Sequence, residues 1–227
     1  MAEQAGGKNA SLFIIGHEHF NKSLTLDIEN RLMHYMMSVE CVKHLHNLRD
    51  NPQASYYPME ELDEIFGKIW KGLRKENGIL FPAESAIKDS AIYKASPLHK
   101  LTKDQERAKD LIIEKVAKAR KSGEAKQLIF IDGEAGTGKT VLNSSTFYEL
   151  YCMAEENNKD LNCQLLVNHD EQITVYEQIA EKLGLTGKYG KVVSKPTAFI
   201  NSHSEDEPVE VAFVDEAHLL LTQGKQS

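Results

Sequence analysis

The sequence predicts an α/β protein, a parallel sheet with helices on both faces, preceded by a smaller and mainly helical N-terminal region. Three observations lead there. From about residue 101 onward, apolar strand-like runs alternate with segments of helical period, and such alternation builds parallel sheets because each helix returns the chain to the same end of the sheet. A glycine-rich run, Gly133-Glu134-Ala135-Gly136-Thr137-Gly138-Lys139-Thr140, sits between an apolar run and a helix. A further apolar run, Val209–Val214, ends in the adjacent carboxylates Asp215 and Glu216.

Along the chain, Ser11–Ile15 is a short apolar run that suits a strand. Ile28, Leu32, Tyr35, Met36 and Val39 follow helical spacing, with Ser23 as the expected cap. Asn51-Pro52 marks a turn. The clearest helix starts at Pro58 and ends before Gly78, burying Leu62, Ile65, Phe66, Ile69, Trp70 and Leu73. Its acids lie in the first turns and its bases in the last, as the helix dipole favours. Between Phe81 and Leu101 the pattern weakens around Pro82 and Pro97, so the expected organisation is a helical region at 1–80, a linker at 81–100 and the α/β unit at 101–227. Within that unit the expected order is a helix from Lys103 to Arg120, a strand at Gln127–Ile131, the glycine-rich loop with its helix, and a strand at Gln164–Val167. A helix over Glu171–Leu183 and the strand Val209–Val214 complete it.

Composition bounds the function classes. At 227 residues, 41% hydrophobic and 27% charged, the chain has the balance of a soluble globular protein. No apolar run is long enough to span a bilayer, so no membrane partner is expected. Three isolated cysteines, Cys41, Cys152 and Cys163, read as core residues of a reducing compartment, which predicts a cytoplasmic protein. The net charge of −7 argues against a globally basic nucleic-acid binder but allows a local groove. The most basic window, Lys100–Lys126, has nine Lys or Arg against five acids and reads as the solvated face of a helix. His17-Glu18-His19 lacks the spacing that sets two imidazoles on one helix face, so an exposed loop is expected.

The glycine-rich run fits the phosphate-binding pattern G-x-x-x-x-G-K-[ST] at every fixed position. Glycines let the backbone curl and turn successive N–H groups onto an anion. Lys139 supplies a charge for the β- and γ-phosphates, and the Thr140 hydroxyl suits Mg²⁺. The following helix points its N-terminus at the same anion. A parallel sheet would bring Asp215 and Glu216 to this crevice, with Asp215 sharing Mg²⁺ with Thr140 and Glu216 activating the attacking water. A second carboxylate favours hydrolysis over kinase chemistry. Gln105, in Thr102-Lys103-Asp104-Gln105, has two readings: it closes a capping box on Thr102, or its amide reads adenine. Expected cofactors are therefore ATP and Mg²⁺. The nucleotide-binding residues are Gly133 to Thr140 with Gln105, the catalytic pair is Lys139 and Glu216, and the metal ligands are Thr140 and Asp215.

Leu101-Thr102-Lys103-Asp104-Gln105, the phosphate loop, Leu166-Val167-Asn168-His169 and Asp215-Glu216-Ala217-His218 occur in the order found in superfamily 1 helicase-like ATPases. With Phe20–Glu29 and Tyr93-Lys94-Ala95-Ser96-Pro97, the chain resembles the bacterial schlafen group 3-like DNA/RNA helicase domain proteins. That resemblance implies a RecA-like sheet, ATP hydrolysis and a DNA or RNA partner; Leu166-Val167-Asn168-His169 matches a segment that touches the nucleic-acid backbone, or is an ordinary polar strand terminus. The resemblance also implies a preceding GIY-YIG nuclease module, of which Asn21–Leu32 resembles the later helix and Glu29 the metal-binding position. The module's name motif is not recognisable, so a remnant without nuclease chemistry is expected. The chain ends 11 residues after Glu216. The resemblance thus implies a fragment that is missing the second RecA-like domain and its arginines, weak in hydrolysis by itself. A nucleotide-gated binding module without strand separation is the alternative function.

Overall fold

The computed structural model describes residues 10–46, 55–123, 126–157, 161–203 and 208–220. Helix α1 spans Lys22–Met37, and α2 spans Leu62–Glu76 after a 3₁₀ turn at Met59–Glu61. The cap of α1 is Asn21, whose Oδ1 accepts the Leu24 N–H at 3.0 Å, and not Ser23 as the sequence suggested. Both residue types cap well; Asn21 takes the role because it holds the extended backbone a cap requires. On α2 the expected stripe is buried, with Ile65, Phe66 and Trp70 almost completely enclosed. Tyr35 of α1 meets Phe66 and Trp70 edge to face at 4.8 and 4.9 Å. The Trp70 indole N–H, unable to be buried without a partner, donates to the Pro82 carbonyl at 2.8 Å. Residues 11–15 form no strand; Phe13 instead packs edge-on against Phe81, while Leu12 and Ile14 are exposed.

The segment expected as a linker carries two short helices, α3 (Glu84–Asp89) and α4 (Ala91–Ala95). Phe81 and Ile87 sit in the N-terminal core, while Ile92, Ala95 and Leu98 pack against the C-terminal one. Prolines at 82 and 97 do break regular helix, but the chain between them is short helix packed between the two cores.

Helix α5 (Lys103–Ser122) opens on a complete capping box, with the Thr102 hydroxyl accepting from the Gln105 N–H and the Gln105 side chain from the Thr102 N–H. It ends at Gly123 in the left-handed conformation. Then come α6 (Lys139–Glu156), β1 (Cys163–Leu166), α7 (Asp170–Lys182), α8 (Leu185–Tyr189), β2 (Val193–Ser194), α9 (Pro196–Ser202) and β3 (Val211–Val214). The strands make a parallel sheet in the order β2-β1-β3, with Leu165 opposite both Val193 and Phe213. All four residues of β1 are buried, and successive residues face opposite sides, so both faces of the central strand are covered. The α/β expectation holds for this unit. The expected strand at Gln127–Ile131 does not form: it pairs with no strand, and Leu128 and Phe130 are 88% and 77% exposed. Its apolar content suits a buried strand, but a strand also needs a ladder partner, and β3 is hydrogen-bonded only to β1.

The two cores are joined by buried polar contacts. Met37, the last residue of α1, belongs to the C-terminal core. The Lys182 ammonium, at the end of α7, donates to the Met37 and Val39 carbonyls at 2.7 and 2.8 Å. It thus satisfies the Met37 carbonyl, which the helix leaves unpaired at its C-terminus, and opposes the negative end of the dipole. Ser145 of α6 donates to the Pro97 carbonyl at 2.9 Å.

His34 on α1 stacks on Tyr93 at 4.1 Å and meets His99 edge-on at 4.3 Å, and both imidazoles contact the Tyr93 carbonyl through Nε2. Burial, reinforced by His99, pushes His34 down from 6.5 to about 3. The unfolded chain therefore binds more protons between these values, so stability is full above about pH 6.5 and is lost as pH falls toward 3. His34→Phe is expected to keep the stack and flatten this acid slope, leaving a smaller share from His99. Denaturant midpoints measured from pH 7 to pH 4.5 check it, and parallel curves for the two proteins would contradict it.

Candidate functional site

The glycine-rich loop Gly133–Thr140 leaves an irregular, exposed segment and enters α6, whose first turn contains no acidic side chain. Gly136 and Gly138 both hold φ near +80°, where a side chain is strained. Thr137 ties the loop on itself, its hydroxyl donating to the Glu134 carbonyl at 2.8 Å. The Lys139 ammonium stands over the loop and donates to the Gly133 and Glu134 carbonyls at 2.7 and 2.9 Å. The Leu142 N–H closes on the Gly138 carbonyl at 2.9 Å, so the helix begins directly under the loop. A cation, curled amides and the positive end of an 18-residue helix dipole therefore converge on one place.

Gln105 performs its capping role and reaches the loop as well. Its Oε1 accepts the Thr102 N–H at 2.9 Å while Nε2 donates to the Thr137 carbonyl at 3.0 Å. A Cβ on Gly138 would lie 2.4 Å from that Nε2. The amide thus braces the loop from behind, joining the N-terminus of α5 to the turn before Lys139.

Asp215 leaves β3 at the same end of the sheet. It is 7% exposed, and the nearby Thr140 hydroxyl helps to hold its carboxyl down. Its Oδ1 accepts the Glu216 N–H at 3.1 Å and its Oδ2 the Tyr176 hydroxyl at 3.3 Å. Burial pushes the Asp215 carboxyl up from its ordinary value, with the three donors pulling the other way and the Glu216 charge adding to the rise. Tyr176 is raised in turn, by burial first and by Asp215 second. Glu216 holds a left-handed backbone at φ 53° and ψ 48°, unusual without glycine. Its carboxylate stays partly exposed, 3.2 Å from Nδ1 of His218. Asn168, just past β1, donates through Nδ2 to the Leu219 carbonyl at 2.9 Å, tying the end of the central strand to the turn after Glu216.

The structure therefore brings Thr140 to Asp215 and Gln105 to the loop. Glu29 lies on α1, on the N-terminal unit. Among the described residues no cluster of three or more His, Cys, Asp or Glu converges as a metal site, and no helix is long and apolar enough to cross a membrane. Sequence reasoning missed Tyr176. It falls in helical register with Ile173, Ile179 and Ala180, a pattern that reads as core, and only its hydroxyl marks it out.

Residues 126–227 match the family described as Schlafen group 3, DNA/RNA helicase domain. The match starts just before the phosphate loop and includes the Asp215–Glu216 pair. The chain is also similar to an uncharacterized protein of Saccharomyces cerevisiae, 32% identical over 102 residues, an alignment covering 42% of this chain and 22% of the yeast protein. The chain thus spans less than a quarter of that relative's length. No solved structure matches it.

The bracing of the loop by Gln105 has a measurable consequence. Gly138→Ala puts a methyl group on the Gln105 amide and into a left-handed backbone, a conformation costing roughly 1–2 kcal/mol for a residue with Cβ. A lowered thermal midpoint is expected. An unchanged midpoint would show that Gln105 is not seated on the loop in solution.

Proposed function

We propose that this chain binds ATP with Mg²⁺ and hydrolyses it as the first RecA-like domain of a DNA- or RNA-dependent, helicase-like protein. The observation that carries this reading is the convergence of Thr140, in the first turn of the helix after the glycine-rich loop, with the buried Asp215 at the end of β3. Two oxygen ligands, one from the phosphate loop and one from a strand end, suit a hard cation that also takes phosphate oxygens and water.

In this reading the amides from Gly133 to Gly138 cradle the phosphates, and Lys139 exchanges its loop carbonyls for phosphate oxygens. The bound cation supplies charge neutralisation for the transferred phosphoryl group. Glu216, exposed beside the buried Asp215, takes a proton from the attacking water. Gln105 acts on the loop's shape, with its amide engaged by Thr102 and Thr137. The similarity of residues 126–227 to a family described as a DNA/RNA helicase domain supports a nucleic-acid partner.

Lys139→Ala is expected to weaken ATP binding by about tenfold or more, equivalent to about 1.4 kcal/mol. Titration with a fluorescent ATP analogue reads this directly; equal affinities would remove the loop as the nucleotide site. Glu216→Gln keeps the shape and loses the base, so nucleotide affinity should stay within about twofold while turnover drops by about tenfold or more. Parallel binding and phosphate-release assays separate the two effects. A large loss of affinity would give Glu216 a structural role.

A further inference from the structure

Tyr176 is almost fully buried at 3% exposure, on the inner side of α7 among Ile179, Ala180 and the C-terminal core. Packing alone asks only for its ring, and a phenylalanine would fill the same space. A buried hydroxyl is costly unless it is hydrogen-bonded, and this one spends its proton on Oδ2 of Asp215 at 3.3 Å. The other two donors to that carboxylate have less leverage. The Glu216 N–H belongs to the neighbouring residue and travels with it, and Thr140 sits on the phosphate loop's own helix start. Tyr176 instead reaches Asp215 from the middle of a helix packed in the core, away from the loop and from the turn that follows Asp215.

We infer that Tyr176 is a positioning residue of the cation site, holding the Asp215 carboxylate in the one rotation that faces Thr140. A carboxylate turns easily about its last torsion, whereas Mg²⁺ demands near-ideal octahedral geometry from few protein groups. A fixed outer partner is therefore worth having, and partners of this kind typically matter by 10–100-fold in metal affinity. The helix that carries Tyr176 starts two residues after Asn168, which grips the turn beyond Glu216 through the Leu219 carbonyl. One segment thus fixes both the buried carboxylate and the turn beyond the exposed one. The inference rests on reading Thr140 and Asp215 as the Mg²⁺ ligands.

The test is Tyr176→Phe, with binding of a fluorescent ATP analogue titrated against Mg²⁺ and, separately, in EDTA. The expected result is an Mg²⁺ half-saturation raised by about tenfold, with binding in EDTA unchanged. Combined with Asp215→Asn, the Tyr176→Phe change should add nothing further. Three outcomes overturn the proposal in distinguishable ways. An unchanged Mg²⁺ half-saturation, in a variant that binds normally in EDTA, rejects the role of Tyr176 and leaves the nucleotide site intact. Equal losses with and without Mg²⁺ assign the hydroxyl to the fold. Wild-type binding that ignores Mg²⁺ rejects the Thr140–Asp215 site and Tyr176 with it.

Discussion

A carboxylate taken out of water must be given donors, and the C-terminal half of this protein is arranged to supply them to Asp215. β3 delivers the residue, α7 reaches it with a tyrosine hydroxyl, α6 offers a threonine, and the turn that follows offers an amide. Each donor comes from a different element, so the carboxylate fixes the relation of strand, helices and turn at once. Without them the charged form would be too costly at 7% exposure. The acid is still shifted upward, which is the sign of a group held charged against the preference of its surroundings.

A similar economy joins the N-terminal helices to this unit. Lys182 brings an ammonium to the carbonyl end of α1, and Met37 places the last side chain of that helix in the other core. Residues 81–100 contribute to both cores. Such contacts tie the end of α1 to the same helix that carries Tyr176 to Asp215.

Much of this was legible in the sequence where local rules and tertiary needs agree. The 3.6-residue stripe of α2, the capping box at Thr102 and Gln105, and the β3 run into Asp215 all obey local chemistry and meet a matching partner in the fold. The failures share one cause. Gln127–Ile131 has the composition of a buried strand, but composition cannot say whether a neighbour's edge is offered. Residues 81–100 look irregular because prolines interrupt them, yet short helices bury well between two larger units. Gln105 satisfies a local pattern, the capping box, and also a distant carbonyl, that of Thr137, which neither of its sequence readings included. Tyr176 was invisible because hydrophobic periodicity counts a tyrosine by its ring and not by its oxygen.

The exposed run before the phosphate loop has an energetic side. Leu128 and Phe130 stand almost fully in solvent, and each would gain roughly 1.5–3 kcal/mol from complete burial. The chain therefore holds an uncollected reserve of hydrophobic free energy directly before its glycine-rich turn. A surface that sheltered those two side chains would collect that reserve within a few residues of Gly133.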